Sequence, residues 1–168
     1  RFHSIEAMRR EVDHRLFRGE DFALCYVFVD GLTAYRKVHA RALEDITLST
    51  ACAVRDAITN GGFYETFCAH LGGGYFMIVV HTDDRKRFPT VLQDSFHLRR
   101  PKEAVASSAR SSEGNGTALR LNIAVAHTDG HRYRHAFEMF DRLHKADEKD
   151  KQRGEHLVGA GESDHWID

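Results

Sequence analysis

No run of apolar residues in this chain approaches the ~20 needed to cross a bilayer as a helix, and the N-terminus has no signal-peptide core. A helical membrane span is excluded, and no membrane contact is expected. Net charge is missing as well. With 24 basic against 25 acidic residues, the chain has no electrostatic footprint for nucleic acid or an anionic surface, so any phosphate site must be local. Cysteine is scarce. Cys25, Cys52 and Cys68 lie in apolar stretches without CxxC spacing, which points to buried thiols in a reducing compartment and predicts a cytoplasmic location. There are no internal repeats.

The 168 residues, 42% of them hydrophobic, suffice for one domain with a real core and are too few for two ordinary ones, so residues 1–168 read as a single domain. Because the chain opens on Arg1 rather than Met, we expect it to be a piece of a longer protein. Histidine is plentiful at twelve, but only His127, His131 and His135 are evenly spaced. Without a third ligand or carboxylate at a recognisable spacing, they read as solvated histidines at a helix start rather than a metal site.

The densest information lies between Thr66 and Val80, TFCAHLGGGYFMIVV, where two apolar runs flank Gly72, Gly73 and Gly74. Strand-length runs separated by glycines predict a β-hairpin. The glycines supply positive φ, and they also leave backbone open to a bulky ligand. Upstream, Ser4 caps a predicted helix whose stripe is Ile5, Met8, Val12 and Leu16. Phe22 to Val29 reads as a central strand covered on both faces, with Asp30 at the carboxyl edge where α/β sheets usually place ligands.

A helical pattern then runs from Gly31 to Asn60, as a short piece at 34–38 and a longer one from Leu43 to Ile58, stopped by Asn60-Gly61-Gly62. After the hairpin, residues 83–99 predict a helix carrying Phe88, Val91, Leu92 and Phe96. Pro89 falls in its first turn or bends it. Residues 101–117 read as a flexible surface loop. Leu119, Leu121, Ile123 and Val125 alternate with Arg120, Asn122 and Ala124, the pattern of a half-buried strand. A last helix carries Tyr133, Phe137, Phe140 and His144 on one face and closes at Gly154. Leu157 and Val158 suggest a final short strand, and the tail through Trp166 has no assignable structure.

This element order, with the hairpin at its centre, resembles the GGDEF domain, the diguanylate cyclase module of bacterial signalling. The resemblance covers about residues 4–160 and implies an α+β sandwich: a palm or nucleotide-cyclase-like sheet, mixed but mostly antiparallel, flanked by helices. The signature hairpin falls on Gly72, Gly73, Gly74, Tyr75 and Phe76, so both signature acids are replaced. Of the acids that end the family's first strand, one is kept as Asp30, while the position of a metal ligand holds Phe28. The guanine-contacting Asn falls on Arg36, and the other guanine contact is kept as Asp45. The inhibitory product site, Arg-x-x-Asp, falls on Phe63, Tyr64, Glu65 and Thr66, with neither ionic member. Asn122 to Ala126 is similar to the family's Ser-Ile-Gly-Val-Ala strand. Lys151 to Gly154 is similar to its Lys-x-x-Gly phosphate contact, which marks Lys151.

The resemblance therefore implies a degenerate member without catalytic residues, in which Asp30, Arg36, Asp45 and Lys151 are vestiges of nucleotide binding. No cofactor or metal is expected, save magnesium if a nucleotide still binds. The implied role is protein contact or signal relay in the C-terminal part of a longer signalling protein such as a response regulator. Its partners would be an upstream receiver or sensor domain, a second copy, or another signalling protein. The alternative is a guanine-nucleotide or cyclic-di-GMP receptor. An active cyclase is less favoured. Where metal and phosphate would lie, Phe28 and Tyr75 are expected to fill the space.

Overall fold

The computed structural model describes residues 1–32, 35, 41–101, 119–128 and 132–153, with 146–153 as backbone alone. Its elements are α1 (Ile5–Arg18), β1 (Phe22–Asp30), α2 (Ala42–Gly61), β2 (Phe67–Gly72), β3 (Tyr75–His81), α3 (Arg87–Arg99), β4 (Arg120–His127) and α4 (Ala136–Arg153), with a 3-10 turn at Thr82–Asp84. The four strands lie in the order β2-β3-β1-β4, and every neighbouring pair is antiparallel. One parallel bridge, His3 to Ala69, lies outside the named strands. This is an α+β fold with a helix-flanked sheet, as expected. The expected short helix at 34–38 apart from Tyr35, the loop at 101–117 apart from Pro101, and the strand at Leu157 and Val158 fall outside the described residues.

The strand β1 is central because its unbroken apolar run can be buried on both faces. Ala23, Cys25 and Val27 meet Ala53, Val54 and Ala57 of α2 and Phe88, Leu92 and Phe96 of α3. Phe22 and Leu24 point the other way, into a cluster with Met8 and Val12 of α1 and Met139 and Leu143 of α4. Each fully buried large side chain in these clusters contributes roughly 1.5–3 kcal/mol.

Local signals fix the helix ends. The Ser4 hydroxyl accepts from the Ala7 N–H at 3.3 Å and caps α1, and Gly62, at φ 67°, closes α2. Pro89 sits in the first turn of α3, where the amide it lacks has no helical partner to lose.

Three expectations need correction. The strand β4 is buried on both faces, since Ala124 and Ala126 are as covered as Ile123 and Val125. Alanine at the alternate positions is small and apolar, so α1 and α4 pack directly on that face. The buried stripe of α4 is Ala136, Met139 and Leu143, while Phe137 and His144 are exposed and Tyr133 precedes the helix. Of the expected stripe, Tyr133 and Phe140 are partly buried and pack against the same cluster, so the aromatic pattern marks the margin of the contact and misses its centre. His127 is a buried residue of β4 rather than a solvated one at a helix start, and His131 is outside the described residues.

The N-terminal segment covers the outer edge of β2. The His3 N–H donates to the Cys68 carbonyl at 2.8 Å, and the His70 N–H donates to the His3 carbonyl at 3.0 Å. Phe2 adds a ring contact at 5.2 Å to Phe76.

Candidate functional site

The site is built where β1 ends beside the glycine hairpin. Gly72 pairs with Tyr75, leaving Gly73 and Gly74 as a two-residue turn. Their φ angles of 60° and 87° are the positive pair such a hairpin needs and that glycine adopts without strain. Between His70 and Gly72 the register shifts through a bulge at Leu71. The turn lies against α2: a Cβ at Gly74 would sit 3.8 Å from the Thr47 hydroxyl, two residues after Asp45.

On the opposite side of the turn stands an aromatic group. The last β1–β3 pair is Val27 with Phe76, so Phe28 and Tyr75 come next along the two strands. Their rings lie 6.3 Å apart at 24°. Tyr26, two residues before Phe28 and therefore on the same face, lies 5.6 Å from Phe28 and 6.0 Å from Tyr75. Phe28 is 7% exposed and Tyr75 38%, so the group is closed underneath and open at its rim.

Asp30, at the end of β1, is half-buried and accepts from the Gly31 N–H at 2.7 Å, opposite Arg120 in the register of β4. Asp45 lies in the exposed first turn of α2, where a carboxylate complements the helix dipole. Lys151 belongs to the last turn of α4, its side chain lying outside the described residues, and Arg36 lies outside them entirely. Of the predicted residues, the fold brings together the hairpin, Phe28 and the start of α2. Tyr26 and Thr47 belong with them and were missed. The period-two spacing of Tyr26 and Phe28 was the available signal for the first.

Among the described residues no three His, Cys, Asp or Glu side chains come together as a metal site. Among the described residues at the end of β1, Asp30 stands with the rings of the Tyr26–Phe28–Tyr75 group, a donor set too poor in oxygen for a pair of divalent cations. The segment at 63–66 begins in the core. Phe63 is buried and packs edge-on against Phe88 at 5.1 Å, and the Arg87 guanidinium lies 4.6 Å over its ring. Arg87 also donates to the Gly61 carbonyl, tying the start of α3 to the end of α2.

No protein-family model matches the sequence, and no curated protein matches it. Solved structures do match its fold. The GGDEF domain of YfiN (also called TpbB) from Pseudomonas aeruginosa superposes with a TM-score of 0.67 at 16% identity, over 90% of this chain and 91% of that one. The active GGEEF domain of a diguanylate cyclase from Vibrio cholerae gives 0.62 at 13% identity, over 94% of each chain. Diguanylate cyclase SiaD from Pseudomonas aeruginosa, solved with its activator SiaC, gives 0.57 at 15% identity, over 88% of this chain and 55% of SiaD. The chain thus has the fold of the GGDEF domains of diguanylate cyclases.

Proposed function

We propose that this chain is a catalytically inactive GGDEF-like signalling module that acts through protein contacts. In that role it relays the state of an upstream receiver or sensor domain, or pairs with a second copy or another signalling protein in the cytoplasm. The observation that carries the reading is the stack of Phe28 on Tyr75, which sets two rings where the resemblance calls for carboxylates. Phosphoryl transfer depends on positioning and on metal that neutralises phosphate charge. A ring pair supplies neither. SiaD, of the same fold, is solved with an activator protein, which supports a role in protein contact.

A second reading has its own support. The turn at Gly74 lies beside Thr47, close in sequence to the kept Asp45, so a guanine nucleotide could be held between the hairpin and α2. Melting curves with magnesium and GTP separate the two readings, because a ligand that binds only the native state raises the melting temperature. The contact module predicts no rise, or a rise unchanged by Asp45→Ala. A rise abolished by Asp45→Ala would favour the receptor.

A further inference from the structure

A cleft of about 330 Å³ opens where the end of α3 meets the start of β4. Phe96, His97 and Arg100, at helical steps of one and three, face it from α3. Leu119, just before β4, and Arg120, Leu121 and Asn122 of β4 line its other side, with Arg120 and Asn122 paired to Asp30 and Phe28 of β1. Neither Arg100 nor Arg120 is ion-paired with a described carboxylate, whereas the adjacent Arg99 is held by Asp56 at 2.6 Å. Arg100 is half-buried. Its Nη2 lies 3.2 Å from Nε2 of His97, while its buried Nε has no hydrogen-bond partner. Burying a guanidinium N–H without a partner is costly, and a cleft that gathers two guanidinium groups and an imidazole invites an anion to supply the acceptors.

We propose that this cleft binds a phosphomonoester carried on a flat or apolar body of mononucleotide size. The Arg100 and Arg120 forks and His97 would take the phosphate dianion, and Phe96 and Leu119 the body. The volume lies in the range of small-ligand pockets, about 300–1,000 Å³, and the planar forks of arginine match phosphate oxygens two at a time. Neither Phe28 nor Tyr75 lines the cleft, and the proposal holds whether or not the module contacts proteins.

The test is calorimetry with guanosine monophosphate and, separately, inorganic phosphate. The expected result is binding of the nucleotide with a dissociation constant below about 1 mM, at least about tenfold tighter than inorganic phosphate. Arg100→Ala and Arg120→Ala should each weaken it about tenfold or more. Arg100→Lys should also weaken it while leaving the melting temperature unchanged, since charge is kept and the fork is lost. Absence of nucleotide binding, or binding indifferent to Arg100→Lys and Arg120→Ala, would overturn the proposal. Equal affinity for inorganic phosphate would overturn the part assigned to Phe96 and Leu119.

Discussion

Phe28 and Tyr75 stack across neighbouring strands with ring centroids 6.3 Å apart, Phe28 beneath and Tyr75 at the rim. Restoring an acid at position 28 therefore means removing a buried ring and placing a carboxylate next to Tyr26 and Tyr75. Phe28→Asp should destabilise the fold by about 3–5 kcal/mol, read by urea denaturation. An unchanged midpoint would show that the stack does not hold the site closed.

Restoring the acid in the turn meets a different obstacle. Position 74 has space, since the nearest atom to an added Cβ is 3.8 Å away, but its φ of 87° is left-handed. Gly74→Asp should cost about 1–2 kcal/mol for backbone conformation alone. Thermal melting that shows a stabilised variant would contradict this.

The start of α4 is held from another helix. The Ala136 N–H donates to the Asp13 carboxylate of α1 at 2.7 Å, joining the two helices that cover one face of the sheet. Asp13→Ala should lose about 1 kcal/mol, the worth of a helix cap. Asp13→Asn should retain most of that stability. Equal loss in both variants would assign the effect to charge rather than to the bond.

The buried thiols set a pH dependence. Burial raises the Cys25 thiol, with Cys68 adding to it, and burial pushes the Cys68 thiol from 9.0 up to about 12. The folded state thus keeps protons that the unfolded chain releases above pH 9, so stability present below that value falls as pH rises toward 12. Denaturation midpoints should drop between neutral pH and about pH 10, and Cys25→Ala/Cys68→Ala should flatten the drop. Both thiols pair across Ile78, one on each neighbouring strand, which sets them about 10 Å apart, too far for a disulfide. Mild oxidation should therefore leave no internal bond between them.

What could be read from residues alone followed strong local physics. The Ser4 cap, the doubly apolar β1, the Gly73-Gly74 turn and the place of Pro89 each have one dominant cause, and the fold agrees with each. The inner face of β4 and the buried stripe of α4 depend on Ala124, Ala126 and Ala136, whose burial is set by what packs on them rather than by any pattern of their own. The candidate site divides in the same way. Phe28 and Tyr75 were legible as residues standing where the resemblance calls for acids, but Tyr26 and Thr47 join them only through strand register and the approach of the turn to α2.

The most direct test of the central claim is product formation. Purified protein incubated with GTP and magnesium or manganese, and assayed by mass spectrometry, should yield no cyclic-di-GMP above a buffer blank, because Phe28, Gly74 and Tyr75 stand where the resemblance requires metal-holding acids. Time-dependent accumulation of cyclic-di-GMP proportional to protein concentration would contradict it.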